Sequence, residues 1–424
     1  MRSFLSTLII TALLSLAPAQ AHPQGNEAQQ STDNNSISVT TQKTASTKTT
    51  TTTTTTACNN SPQLCNRNYN NITHMGAHDS AFLRDISTGF STSGNQFYNV
   101  TVALSAGIRL LQAQVHDYNG SLELCHTSCL LLDGGSLESF LTEIKSWMDS
   151  NPNEVVTLLL VNSDKKSPAT FGSVFSSSGI DTYGYVPTST TKPIATWPTL
   201  QSLITSKKRL VTFIASIDYD STYPYLLPEF TYIFETYFGV LSLDAFNCTL
   251  QRPTSIDSAS TAVSSHYMGL INHFADTAQS FGITVPDVGN ITTTNSKDTT
   301  TVGALGTHAN QCKDEWGVNP TFLLVDFFNV GPSIETADIL NGIMGKTSGR
   351  VDVSTSVLMD TSGASTSGSS SGSGSGSGSS SSSSSGSGSS TVSSSGSNPS
   401  QVRWRNRDII WVMIGVVTAG TSFY

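Results

Sequence analysis

An α/β fold built on one mostly parallel sheet follows from three features of the sequence. Residues 108–115, 155–161, 210–217 and 322–328 are near-continuous apolar runs rich in β-branched side chains, the pattern of strands buried on both faces. Between the first two, Leu137, Phe140, Leu141, Ile144, Trp147 and Met148 follow the i, i+3, i+4, i+7 spacing of an amphipathic helix, which Asn151-Pro152 stops. Residues 58–360, roughly 300 in all, show no internal linker and suffice for one large core. Strand and helix in alternation over that length predict a single TIM-type (βα)8 barrel; a doubly wound sheet ranks second, since no G-x-G-x-x-G loop follows the first strand.

The segments around this domain have other compositions. At the N-terminus, Arg2, the apolar stretch 4–16 and the small-x-small sequence Ala19-Gln20-Ala21 predict a secretory signal peptide over 1–21; the apolar stretch is too short to span a bilayer. Residues 22–57 are Ser/Thr/Gln/Asn-rich and include the threonine run 49–56, a disordered spacer similar to O-glycosylated stalks. Residues 361–400 are Ser, Thr and Gly apart from Ala364, Val392, Asn398 and Pro399, a composition that cannot bury a core and predicts a flexible stalk. Residues 401–424 carry Arg403, Arg405, Arg407 and Asp408 and then an apolar tail from Ile409. Small residues, a polar spacer and a terminal hydrophobic tail predict a glycosylphosphatidylinositol attachment signal, with Ser395, Gly396 and Ser397 as candidate sites. The competing reading is a single-pass helix with the arginines inside.

The chain carries 21 Lys and Arg against 30 Asp and Glu, a formal charge of −9, which argues against a nucleic-acid partner. In a secretory chain the six cysteines predict three disulfides, and of the 15 connectivities that six cysteines permit, sequence proximity favours Cys58–Cys65 and Cys125–Cys129, leaving Cys248 for Cys312. A zinc site would want clustered C-x-x-C pairs, and the sequence has none. Asn34, Asn59, Asn71, Asn99, Asn119, Asn247 and Asn290 each stand in an N-x-S/T sequon; several are expected to carry glycans and so to lie on loops, with Asn71, Asn99, Asn119, Asn247 and Asn290 as the candidates.

Three strings could do chemistry. Residues 72–80 end an apolar segment in a small-residue turn that presents His78-Asp79, at the strand end where barrels hold catalytic groups. Residues 122–129 place His126 after a short strand and inside the expected Cys125–Cys129 loop. Residues 322–328 hold one carboxylate, Asp326, in an apolar run, and a lone buried charge needs a partner. Two histidines and an aspartate form an acid/base set near neutral pH. His74, His116, His266, His273 and His308 show that histidine is not scarce here, and structural or surface roles are its default.

Taken together, the Gly76-Ala77-His78-Asp79-Ser80 motif, the strand from Gly107 to Leu111, the Leu124-Cys125-His126 segment, the helix and Leu158-Leu159-Leu160-Val161 strand after it, and the late Val325-Asp326-Phe327-Phe328 strand resemble the phosphatidylinositol-specific phospholipase C X-domain superfamily. More narrowly, they resemble fungal secreted phospholipase C-like phosphodiesterases. The resemblance runs in order over 66–331 and implies a distorted TIM barrel acting on a phospholipid or another phosphodiester. It also implies roles: His78 as general base toward the inositol 2-hydroxyl, His126 as general acid toward the diacylglycerol oxygen, Asp326 orienting His78, and Asp79 paired with His126. The membrane would be met through the lipid anchor, on the outer face of the cell or in its wall.

The chain departs from that family on its second strand. Bacterial members carry an aspartate and then a phosphate-contacting arginine there, and animal members carry calcium ligands, where this chain has Gln112 and Gln114. Alternation puts both glutamines on one face with His116 and turns Arg109 away. The lysine expected after residues 158–160 is Asn162, with Lys165 and Lys166 following. A metal-free, cofactor-free site is expected, with Gln112, Gln114, Asn162, Lys165 and Lys166 as candidate phosphate contacts. Two other functions compete: a non-catalytic glycosylated surface protein on the same barrel, and a glycan-remodelling enzyme, which needs two carboxylic acids about 5 to 9.5 Å apart.

Overall fold

The structure, a computed structural model, describes residues 56–358, all within one compact unit. The expected signal peptide, most of the threonine-rich spacer, the stalk 361–400, the tail 401–424 and the Asn34 sequon lie outside the described residues. Among those described, no helix is long and apolar enough to cross a membrane.

Eight parallel strands curl into a barrel: β1 (His74–Ala77), β2 (Leu110–Tyr118), β5 (Val156–Asn162), β6 (Leu210–Ala215), β7 (Leu226–Pro228), β8 (Ile233–Thr236), β10 (Met268–Asn272) and β13 (Phe322–Val325). Each of the eight except β7 pairs with the next along the chain and the last returns to the first, with His74 beside Phe322 and Ala77 beside Val325. The ring opens at one seam: among the described residues no ladder joins β7 to β8, which are linked by the single turn Glu229–Thr231. The predicted barrel is therefore present in distorted form. A ribbon of β3 (Ser121–Cys125) and β4 (Asp133–Ser136) hangs from the end of β2, and β9 (Leu250–Arg252) runs antiparallel to β8. A separate pair, β11 (Asp276–Ala278) and β12 (Thr284–Pro286), follows β10.

The helices are α1 (Val100–Ala106), α2 (Leu137–Ser150), α3 (Pro168–Ser178), α4 (Leu200–Thr205), α5 (Ala259–Ser264), α6 (Ile291–Thr294), α7 (Leu305–Trp316) and α8 (Ser333–Asn341). The predicted amphipathic helix is α2. Ser136 caps it by accepting from the Ser139 N–H, and Leu137, Phe140, Leu141, Ile144 and Met148 are buried against the sheet. Trp147 lies at the edge of that stripe, where its Nε1–H donates to Ser105 Oγ at 2.9 Å.

Alternation along the strands sorts two cores. Leu111, Ala113, Val115, Leu158 and Leu160 face outward beneath α1, α2 and α3. Leu110, Leu159, Phe213, Leu270 and Leu324 face inward, where Tyr69 and Trp197, 5.1 Å apart between ring centroids, join Phe322 to fill the N-terminal end of the barrel. Filled below and open above, the barrel can present a site only at the C-terminal ends of its strands. The aromatics 171–175 and 223–227 belong largely to the outer and inner cores.

The expected disulfides Cys58–Cys65, Cys125–Cys129 and Cys248–Cys312 are all formed. One expectation needs correction. The strand predicted over 322–328 stops at Val325, because Phe327 turns to a left-handed φ of 43° and Asp326 stands just beyond the strand. The Asn59 sequon is unusable in this fold: Asn59 is 5% exposed and its Oδ1 accepts the Val155 N–H at 2.7 Å. Asn71, Asn99, Asn119 and Asn290 are exposed and Asn247 is half-buried. Asn119-Gly120, with φ of 55° and 87°, forms the tight turn between β2 and β3.

Candidate active site

A cavity of about 360 Å³ opens at the C-terminal ends of the strands, with His78, Asp79, His126, Gln112 and Gln114 in its wall. His78 and Asp79 directly follow β1, where Gln96 holds the backbone: its Nε2 donates to the carbonyls of His78 at 2.7 Å and Val325 at 3.1 Å. Asp326, at the end of β13, accepts from His78 Nδ1 at 2.8 Å and from Asn95 Nδ2 at 3.0 Å. An ionised carboxylate cannot donate, so neutral His78 carries its proton on Nδ1 and turns an unprotonated Nε2 to the cavity. Phe274 covers one face of the imidazole, stacked at 3.6 Å.

Asp79 lies between the two histidines. His78 Nε2 is 3.6 Å and His126 Nε2 is 3.5 Å from the same oxygen, Asp79 Oδ2, so the two nitrogens are no more than about 7 Å apart. Asp79 is fully buried and has a left-handed φ of 43°. Its N–H donates to Gln112 Oε1 at 2.6 Å, and its Oδ2 accepts from Gln114 Nε2 at 3.0 Å. His126 follows β3 inside the Cys125–Cys129 loop, its ring perpendicular to that of Phe82 with centroids 5.2 Å apart.

The electrostatics are dominated by carboxylates. Burial alone would hold His78 neutral, but the charges of Asp79 and Asp326, the hydrogen bond to Asp326 and the charge of Asp276 outweigh it and push the imidazole up to about 9. Asp276, on β11, is pushed up to about 6 by burial and by the charge of Asp326, against the pull of His78. Across the cavity Glu229, at the seam, is held well above the usual carboxylate range by burial and by its hydrogen-bonded neighbour Glu235. Glu235 in turn accepts from Arg252 Nε at 2.9 Å and pairs with Arg252 Nη2.

Of the candidate phosphate contacts, Gln112 and Gln114 line the cavity, while Asn162, Lys165 and Lys166 do not. Asn162 is buried and staples its own loop, donating to the Lys166 and Ser216 carbonyls and accepting the Lys166 N–H. Lys166 pairs with Asp117. Arg109 faces away as alternation requires, and Glu154, Asn60 and the carbonyls of Leu104 and Ile108 take up its guanidinium. Gln112 and Gln114, where the resemblance would place calcium ligands, have their carboxamide oxygens taken by the N–H groups of Asp79 and Thr127, so they do not fit a calcium site. Sequence reasoning passed over Asn95, Glu229, Glu235, Arg252, Phe274 and Asp276. Glu235, alone among Ile233, Phe234 and Thr236, carries the signature that exposed Asp326.

The family described as PI-PLC X matches residues 64–341. A PI-PLC X domain-containing protein of Arthroderma benhamiae is 36% identical over 288 residues, covering 68% of this chain and 90% of that protein. A second protein of the same fungus, named as an uncharacterized secreted protein, is 37% identical over 280 residues; the match covers 65% of this chain and 60% of that protein. Among solved structures, the phosphatidylinositol-specific phospholipase C of Listeria monocytogenes aligns with 65% of this chain and 94% of its own at 16% identity, with a TM-score of 0.43.

Proposed function

We propose, from the premise that this chain belongs to the PI-PLC X family, that it is a secreted, surface-tethered phosphoric diester hydrolase that cleaves a phospholipid headgroup ester by two-histidine acid/base catalysis. The observation that carries the reading is the placement of two imidazole Nε2 atoms around one carboxylate oxygen in a single cavity, with His78 oriented by Asp326. A substrate hydroxyl adjacent to the phosphodiester gives its proton to His78 Nε2 as its oxygen bonds to phosphorus. The bond from phosphorus to the glyceride oxygen breaks, and that oxygen takes the proton of His126 Nε2. A cyclic phosphate results. Water then opens it with the roles reversed, giving its proton to His126 while His78 protonates the departing ring oxygen. Neutral His78 is the active base, so loss of its proton forms one limb of the pH dependence of turnover, with a midpoint near 9.

Secretion is supported by the signal-like segment 1–21 and by the fungal relative's name, and tethering by the tail 401–424. The Asn71, Asn99, Asn119, Asn247 and Asn290 sequons are the proposed glycan carriers. The test is release of cyclic phosphate from phosphatidylinositol and from a panel of other phospholipids by the full secreted chain, with and without EDTA. EDTA-resistant release that His78→Ala and His126→Ala each abolish supports the reading. No release from any member of the panel refutes it and favours a non-catalytic surface protein.

A further inference from the structure

We propose that Gln114 is a positioning residue that couples the disulfide-closed loop bearing His126 to Asp79, and so sets the distance between the two histidines, without contacting substrate. This rests on the phosphodiesterase reading above. Gln114 Nε2 donates to Asp79 Oδ2 at 3.0 Å, and Gln114 Oε1 accepts the Thr127 N–H at 3.2 Å. An ionised carboxylate only accepts and a backbone N–H only donates, so the two partners fix which way the carboxamide points.

The loop needs this tie. Thr127 has a φ of 62°, a conformation that a β-branched residue holds only when its surroundings over-determine it. Two constraints act here: the Cys125–Cys129 bond that closes the loop around it, and Gln114 on its N–H. Among the described residues the His126 ring makes no hydrogen bond: its Nδ1 is buried without a partner, and its Nε2 has only the longer ion-pair contact with Asp79 at 3.5 Å. The imidazole therefore goes where the loop backbone goes, and the backbone is tied through Gln114 to the aspartate that both histidines approach.

Gln114→Glu and Gln114→Ala separate this role from substrate binding. In Gln114→Glu the ionised side chain still accepts the Thr127 N–H but sets a carboxylate against Asp79; when protonated, it donates to Asp79 and restores both bonds. Activity relative to wild type is therefore expected to rise as pH falls. Gln114→Ala is expected to lower kcat about 100-fold, the order of loss for a misplaced catalytic group, and to change KM less than about threefold. A readout free of turnover is hydrogen exchange by mass spectrometry on the full chain, following fragments that span Thr127. Exchange there is expected to quicken at least about tenfold in Gln114→Ala and to stay slow in Gln114→Glu. Unchanged exchange in Gln114→Ala, or a raised KM with kcat retained, overturns the proposal. Should Gln114→Ala fail to fold, Gln114→Glu decides alone: a pH-independent ratio to wild type overturns it. A wild type that turns over no phosphodiester refutes the catalytic reading, while the exchange comparison still upholds or overturns the coupling.

Discussion

Replacing Asp326 by Asn tests how the site sets the proton affinity of its base. In the folded protein the His78 pKa stands near 9 against an ordinary 6.5, equivalent to about 3 kcal/mol in favour of the imidazolium. Its raised pKa makes this stabilisation complete below about pH 6.5, and it is lost as pH rises through about 9. The 2.8 Å bond to Asp326 is a charge-assisted hydrogen bond, worth about 1.5 to 3 kcal/mol. Its loss should lower the His78 pKa by about 1 to 2 and remove the corresponding part of the stability below pH 6.5. An asparagine amide can also turn its NH₂ toward Nδ1, which leaves the proton on Nε2, where the base needs a lone pair. A wrong tautomer of this kind costs about 10⁴ in kcat in the serine proteases. The assay is the pH dependence of kcat/KM for cyclic phosphate release, beside an NMR titration of the imidazole. Asp326→Asn should lose at least about 10²-fold in rate while its base limb moves to lower pH. An unmoved limb, or a rate within about twofold of wild type, would refute the reasoning.

Arg109→Ala should destabilise the fold by about 3 to 5 kcal/mol by leaving Glu154 buried and unpaired, with unchanged activity per folded molecule; denaturant unfolding beside active-site titration checks this. Removing Cys248–Cys312, which closes a separation of 64 residues, should cost about 4 kcal/mol, and removing Cys125–Cys129, with a separation of 4, about 2; differential scanning calorimetry ranks them. Glu229 binds its proton more tightly in the folded protein than when unfolded, so it erodes stability as pH rises above the ordinary carboxylate range. Glu229→Gln should flatten that fall in urea unfolding across pH 5 to 8.

The barrel was legible because its strands are buried on both faces and therefore read as unbroken apolar runs, as 155–161 does. The short strands at the seam were not: β7 and β9 have three residues each, too few for any period to show. The same division runs through the site. His78, His126 and Asp326 close apolar segments and so announce themselves, and Asp79 is carried with His78. Arg252 reaches the cavity only because β9 turns back along β8, a pairing that no local pattern encodes. Asn95 and Gln96 come from a loop without periodicity, yet they hold Asp326 and the His78 backbone. Asn162 and Lys166 misled for the converse reason: they stand where a phosphate-binding lysine would, but their hydrogen bonds close a loop outside the cavity.

The most direct test of the two-histidine assignment compares the full chain with its His78→Ala and His126→Ala variants on two substrates that share a headgroup. One has an alkoxide leaving group that needs a proton, and the other an aryl oxide that leaves without one. If His126 is the acid and His78 the base, His126→Ala recovers most of its lost rate on the aryl substrate and His78→Ala recovers none. Equal recovery by both variants, or recovery by His78→Ala alone, would contradict the assignment.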